Sequence, residues 1–299
     1  ERIDKPTGKY HPILPEIFNR YLAYKRSLQE RIHSERIVLT AFARYIETHG
    51  IRLETIGVED VDNMLATSYD HLAAKSQNSY KSCLRGFLRY LYVNNVMGRN
   101  LAPLIINRRI FAGALLPRFL LAESIEKLFA GLKHDTARDL RVNAMVQLAY
   151  NLGLRPMEIS KIRLDDISFK AFEVTIRDRK NCIPAAMPLP VTAIKAVAVY
   201  IVGARPKTEQ RRLFVSLKPG YKPLTGNHVA KEISWCMKRV GLSESAYALR
   251  HTYAQRLLEK GVSIFEIKEL MGHEHIQTTQ RYLHIHIKLM RKVLFDEEI

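Results

Sequence analysis

Three short stretches of the chain concentrate side chains suited to phosphate chemistry. In the first, Gly153-Leu154-Arg155-Pro156-Met157-Glu158-Ile159, the glycine can take the left-handed conformation that closes a helix. Pro156 suits the first turn of the next helix and forces Arg155 out of helical geometry. An arginine held at such a junction offers a planar fork of donors to two phosphate oxygens, or else caps the helix and bridges to Glu158. The second stretch is Ala248-Leu249-Arg250-His251-Thr252-Tyr253-Ala254. The third is Leu270-Met271-Gly272-His273, followed nine residues later by Tyr282 within Thr278-Thr279-Gln280-Arg281-Tyr282. By periodicity alone Tyr282 shares a helical face with Ile285 and Leu289 and reads as one more core aromatic.

Other chemistries find less support. His273, His275, His284 and His286 invite a zinc reading, and His273-Glu274 opens like HExxH, but Gln277 stands where the second histidine belongs, so no metal is expected. No GxxxxGK[ST] phosphate loop occurs, which argues against an ATP-driven activity. No cofactor is expected.

The 299 residues carry 47 Lys+Arg against 30 Asp+Glu, a formal net charge of +17. Such an excess is hard to explain for an enzyme of small neutral metabolites. A phosphate polymer would attract it and release counterions on binding, so nucleic acid is the expected partner. The bland alternative is a solubility charge. No apolar run approaches the 18 or so residues of a membrane span, and Glu1, Arg2, Asp4 and Lys5 begin no signal region, so a cytoplasmic protein without a membrane partner is expected. Cys83, Cys182 and Cys236 are odd in number and form no CxxC pair, as reduced thiols do.

The elements that must position these residues fall into two groups. Helices are expected at Pro15 to Leu28, Ser34 to Thr48, from Val58 with Val61, Met64, Leu65 and Leu72 inward, and at Ser79 to Val93, where Tyr80, Cys83, Leu84, Phe87, Leu88, Leu91 and Tyr92 form a stripe. On the other side of that last helix Lys81, Arg85 and Arg89 form a positive ridge that suits a DNA groove, or is a solvated basic face. The pattern breaks between Asn107 and Arg118, a domain linker. Beyond it, helices are expected at Glu123 to Leu132 and Thr136 to Leu152, then a small antiparallel sheet in which Phe172, Val174 and Ile176 alternate. A charged turn (Arg177 to Asn181) leads to a second strand ending at Pro188 and Leu189. Helices resume at Thr192 to Val202, Thr225 to Val240, Ala246 to Lys260, Ile264 to Met271, and from Thr278.

In this order and spacing, the three stretches resemble the tyrosine recombinase (phage integrase) family, of the Xer or integrase kind, which carries a GLRxxE-like box, an LRH-type box, an LGH-type box and then a nucleophilic tyrosine. The resemblance covers most of Leu120 to His286. It implies a mainly α fold with a small antiparallel sheet, built as a two-domain C-shaped clamp: a helical, SAM-like core-binding domain at 10–107 and a mixed α/β catalytic domain at 118–299. It makes Arg155 and Arg250 the arginines that clamp the scissile phosphate, Tyr282 the nucleophile, and His273 a further phosphate donor or proton-handling group. The family's hairpin lysine corresponds to Lys180, the expected general acid. Arg177 and Arg179 are nearby rivals, but guanidinium is a poor proton donor near neutrality.

Position 247 departs from the pattern. The family places a histidine, sometimes a lysine, three residues before the second arginine, where this chain has Tyr247. Its phenol could donate one hydrogen bond to the phosphate, or be a plain core tyrosine. His251 reads as a buried structural histidine, since it points about 100° away from Arg250. The implied activity is cleavage and rejoining of DNA strands through a 3′-phosphotyrosine, as in integration, excision, transposition or resolution, with neither ATP nor metal. The apolar tail with Ile287, Leu289, Met290, Val293, Leu294 and Phe295 is expected to form a helix that ties a homo-tetramer together on two DNA sites, or to pack in cis. Rival readings are a type IB topoisomerase, a telomere resolvase, and a catalytically silent DNA-binding accessory protein.

Overall fold

The structure, a computed structural model, describes residues 16–29, 32–109, 118–177, 184–273, 276, 278–280 and 282. The chain divides into two compact units, Glu1–Ala112 and Gly113–Ile299.

The first unit is helical: α1 (Glu16–Ser27), α2 (His33–Thr48), α3 (Val58–Tyr69) and α4 (Ala74–Val93). Each carries an apolar stripe, and the stripes meet around Phe18, Phe42 and Phe87, whose ring centroids lie 4.8 to 6.3 Å apart, the edge-on and tilted contacts that aromatic quadrupoles favour. On α4, Leu84, Phe87, Leu88 and Leu91 are buried as the spacing demands, but Tyr92 is 42% exposed. Twelve residues at 100° each leave it about 120° around the helix from Tyr80, off the edge of the stripe. Leu72 lies past the end of α3, half-buried against the same core. The ridge on α4 is not uniformly solvated. Lys81 Nζ donates to the Ile106 carbonyl at 3.1 Å and Arg85 Nη2 to Asn107 Oδ1 at 2.7 Å, so these two cations tether the chain leaving the unit, whereas Arg89 is exposed.

The second unit is built around α6 (Ala137–Leu152). This helix has no polar face: Val142, Ala144, Met145, Val146, Leu148, Ala149 and Leu152 are all buried, because α5 (Ala122–Ala130), α8 (Val191–Gly203), α9 (Gly226–Arg239) and α10 (Tyr247–Glu259) enclose it. Its polar residues are paired: Asp139 with Arg239 at 2.9 Å, and Arg138 and Arg141 with Glu232 at 2.8 and 3.6 Å. The short α7 (Pro156–Lys161) packs on α9 so tightly that a Cβ on Gly226 would stand 2.8 Å from the Met157 Cα. A three-stranded antiparallel sheet, ordered β1 (Ile167–Ser168), β2 (Glu173–Ile176) and β3 (Ala185–Pro188), pairs Ile167 with Val174 and Val174 with Met187.

One sequence expectation changes here, and one strand, β1, is new to it. Phe172 is not in the strand; it is 47% exposed at a φ of +55° in the turn between β1 and β2, a conformation no extended strand contains. The first strand, only two residues long, gives no alternation for a sequence pattern to register. The unit closes with α11 (Ile264–Met271) and helical residues 278–280 and 282. The charged turn with Arg179 and Lys180, residue Cys182 and the apolar tail assigned to intersubunit contact lie outside the described residues. Among the described residues Cys83 and Cys236 are free thiols, and no helix is long and apolar enough to cross a membrane.

Candidate active site

Two glycine-terminated helices build the site. α6 ends at Gly153, in the left-handed region at φ +60°; α11 ends at Gly272, at φ +59°. A left-handed terminus turns the last carbonyls out of the helix and leaves them in need of donors, and the two arginines supply them. Arg250, buried on α10, donates Nη1 to the Gly153 carbonyl at 2.6 Å and Nη2 to the Met271 carbonyl. Arg155 donates Nη1 to the Met271 carbonyl at 3.3 Å and Nη2 to the Gly272 carbonyl at 3.1 Å. The residues expected to clamp phosphate, 95 positions apart in sequence, are thereby brought together on the Met271 carbonyl.

Glu158 completes this arrangement. Pro156 starts α7 and Arg155 precedes it, so the carboxylate three residues on reaches back: its Oε2 accepts the Arg155 backbone N–H at 2.7 Å and its Oε1 the Arg155 Nη1 at 2.7 Å. Its Oε2 is also 3.7 Å from Arg250 Nη1. The capping alternative for Arg155 is thus real, and it coexists with a common site for both arginines. Glu158 is buried. Among these three side chains two guanidinium groups face one carboxylate, an excess of positive charge that suits a phosphodiester anion.

His273 follows Gly272 directly and is buried; its Nδ1 lies 2.8 Å from Thr279 Oγ1. Thr279, completely buried, is a site residue that sequence reasoning passed over, although its place between His273 and Tyr282 was in view. Tyr282 is also buried, within an apolar cluster of Ala254, Ile267 and Met271. Its hydroxyl is 2.7 Å from His251 Nδ1. His251, expected to be buried, is half-buried, and the partner of its Nδ1 is the expected nucleophile itself.

Tyr247, at the start of α10, is 47% exposed, which removes the core-tyrosine reading. Arg177 is committed elsewhere: its Nε donates to Asp166 Oδ1 at 2.5 Å, and that hydrogen bond raises the guanidinium pKa further. Lys180 and Arg179 lie outside the described residues. No group of three or more His, Cys, Asp or Glu side chains that could hold a metal occurs among the described residues.

Comparison with known proteins identifies the family. The family model described as the phage integrase family matches residues 118–288. The chain is 28% identical over 289 residues to the tyrosine recombinase XerC of Staphylococcus aureus, covering 95% of both chains. It is 27% identical over 285 residues to a putative integrase/recombinase, y4rA, of Sinorhizobium fredii, covering 92% of this chain and 68% of that one. In fold it is similar to the XerH site-specific recombinase bound to a palindromic difH substrate (TM-score 0.73, 18% identity, 94% of this chain and 84% of that one). It is also similar to a lambda integrase dimer bound to a COC′ core site (TM-score 0.66, 18% identity, 89% of this chain and 94% of that one). With more than half of its length matched by the family model, the chain belongs to the phage integrase family, the tyrosine recombinases.

Proposed function

We propose that this protein is a site-specific recombinase that cleaves and rejoins double-stranded DNA through a 3′-phosphotyrosine formed on Tyr282. The observation that carries the reading is the convergence of Arg155 and Arg250 on Glu158 and the Met271 carbonyl, with His273 and Tyr282 on the chain that follows. Two guanidinium groups fixed this way can take the non-bridging oxygens of a scissile phosphate and stabilise the charge that develops as the phenol attacks. Removing one such donor costs on the order of 10²–10³ in rate. The attack breaks the bond from phosphorus to the 5′-oxygen, which takes a proton from Lys180 in this reading. The phosphotyrosine conserves the energy of the diester, so a second strand's 5′-hydroxyl can reverse the step without ATP.

The helical unit would be the core-binding domain (10–107) and the remainder the catalytic domain (118–299), with Arg89 facing DNA while Lys81 and Arg85, the other two cations of that ridge, hold the segment at Ile106 and Asn107. The similarity to XerC, XerH and lambda integrase, the last two crystallised on DNA, supports double-stranded DNA as partner and a recombinase over a topoisomerase. Assembly as a tetramer on two sites, tied by the apolar tail, and a place in the cytoplasm belong to the same reading.

The test is covalent capture. The wild-type chain is incubated in EDTA with sheared genomic DNA of the source organism, denatured, and the protein-linked DNA sequenced. A defined set of junctions should appear; Tyr282→Phe should capture none while retaining DNA in a gel shift. Capture by the phenylalanine variant, or none by wild type, overturns the reading.

A further inference from the structure

We propose that His251 is the catalytic base of strand cleavage, taking the phenolic proton of Tyr282 at its Nδ1. This rests on the recombinase reading and goes beyond it in assigning the proton.

The need for a base follows from elementary acidity: a phenol with a pKa near 10 is ionised about once in a thousand at pH 7. Water is a poor candidate here, because Tyr282 is only 2% exposed. The acceptor has to come from the protein, and a base must sit within about 2.6–3.2 Å of the oxygen it deprotonates. His251 Nδ1 does, at 2.7 Å. The ring centroids are 5.8 Å apart with the planes inclined by 51°, so the two rings meet at their polar edges rather than by stacking. An imidazole is also the side chain that exchanges a proton most readily near neutrality.

The other candidates fit less well. Tyr247 is itself a phenol, and it is 47% exposed. His273 has its Nδ1 on Thr279. The placement of His251 on α10 explains why this helix can serve without a histidine at position 247. Residues 247 and 251 are four apart and share a face of the helix, and His251 adjoins Arg250, whose guanidinium is locked to the Gly153 and Met271 carbonyls. The base is therefore carried by the same rigid turn as the phosphate clamp.

In the proposed step the Tyr282 O–H bond breaks and its proton passes to Nδ1 of a neutral His251 that carries its own proton on Nε2. The phenolate oxygen bonds to phosphorus, and the 5′-oxygen leaves with a proton from the general acid. On religation the 5′-hydroxyl returns its proton to the deprotonated general acid as its oxygen bonds to phosphorus, and His251 returns the other proton to the Tyr282 oxygen as the phosphotyrosine bond breaks.

The experiment measures single-turnover adduct formation on a nicked duplex containing a junction recovered by the covalent capture above. His251→Asn, which keeps a polar group near Nδ1 but cannot take up the proton, should slow adduct formation roughly 10²- to 10⁴-fold. Its circular dichroism, thermal midpoint and gel shift should match wild type. Replacing Tyr282 by a tetrafluorotyrosine, largely ionised at neutral pH, should restore most of the lost rate in His251→Asn and change the wild type little. A duplex with sulfur in place of the bridging 5′-oxygen, whose leaving group needs no proton, should not restore it. Wild-type rates in a folded His251→Asn, or no rescue by the fluorinated phenol, overturn the assignment; rescue by sulfur would make His251 the acid instead. Should His251→Asn not fold, His251→Gln is put through the same three arms. Failure of wild type to form any adduct would sink the recombinase reading itself, and is thus distinguishable.

Discussion

The carbonyl of Gly153 receives Nη1 of Arg250 at 2.6 Å, so the end of the central helix is also the seat of an arginine proposed to hold the scissile phosphate. Gly153 sits at φ +60°, and a Cβ there would lie 2.3 Å from the Tyr253 ring. Gly153→Ala should therefore lower stability by about 1–2 kcal/mol for the left-handed backbone alone, with the ring collision adding to it, and should slow adduct formation by displacing Arg250. Denaturant unfolding and single-turnover cleavage check both; a neutral alanine would remove the glycine from the account.

Glu158→Gln removes the carboxylate that Arg155 and Arg250 share. Breaking a buried ion pair by neutralising one partner costs about 3–5 kcal/mol. A large drop in unfolding free energy is expected, together with a loss of cleavage that Glu158→Asp does not fully repair, since the shorter side chain cannot span both arginines.

Thr279→Val keeps the shape of a buried side chain and deletes its bond to His273. One hydrogen bond is worth about 1 kcal/mol, so a fall of roughly fivefold to tenfold in cleavage is expected, with Thr279→Ser close to wild type. Equal rates in all three would show that His273 needs no orientation from this hydroxyl.

Asp139 titrates below the usual carboxylate range because the Thr136 hydroxyl, and then Arg239, hydrogen-bond to its ionised form. A depressed folded-state pKa contributes stability that is present above about pH 4, the unfolded value, and is lost as pH falls through the folded one. Thermal midpoints from pH 7 to pH 2.5 should show Asp139→Asn destabilised at neutrality and converging with wild type in acid. A gap independent of pH would assign the loss to packing.

Two of the ridge cations, Arg89 and Arg85, should separate. Arg89→Ala, on an exposed side chain, should reduce the dependence of log affinity on log salt by about one contact. Arg85→Ala should instead lower the melting temperature of the chain, because Arg85 holds Asn107. Salt titrations of DNA binding and melting curves on both variants tell these roles apart.

Much of the scaffold was legible because long helices repeat their apolar residues often enough to specify both type and face: α2 and α11 lie within a residue of the expected span at each end. Short elements escape that signal, as the two-residue β1 and the turn at Phe172 do. Within the site, Arg155, Arg250, His273 and Tyr282 could be named from motif order. Their partners could not, since the Met271 and Gly272 carbonyls are backbone atoms that any residue supplies. His251 shows the limit of helical geometry: the 100° between it and Arg250 correctly separates the two side chains, but says nothing of what another segment brings to the second face. Tyr282, thirty-one positions away, is what arrives there.

With both guanidinium groups anchored on the carbonyl end of α11, their rotamers are selected while the polypeptide folds, not when a ligand arrives. An approaching diester then meets donors whose conformational freedom has already been surrendered, and the ordering penalty that a pair of long, mobile side chains would impose on encounter is largely absent.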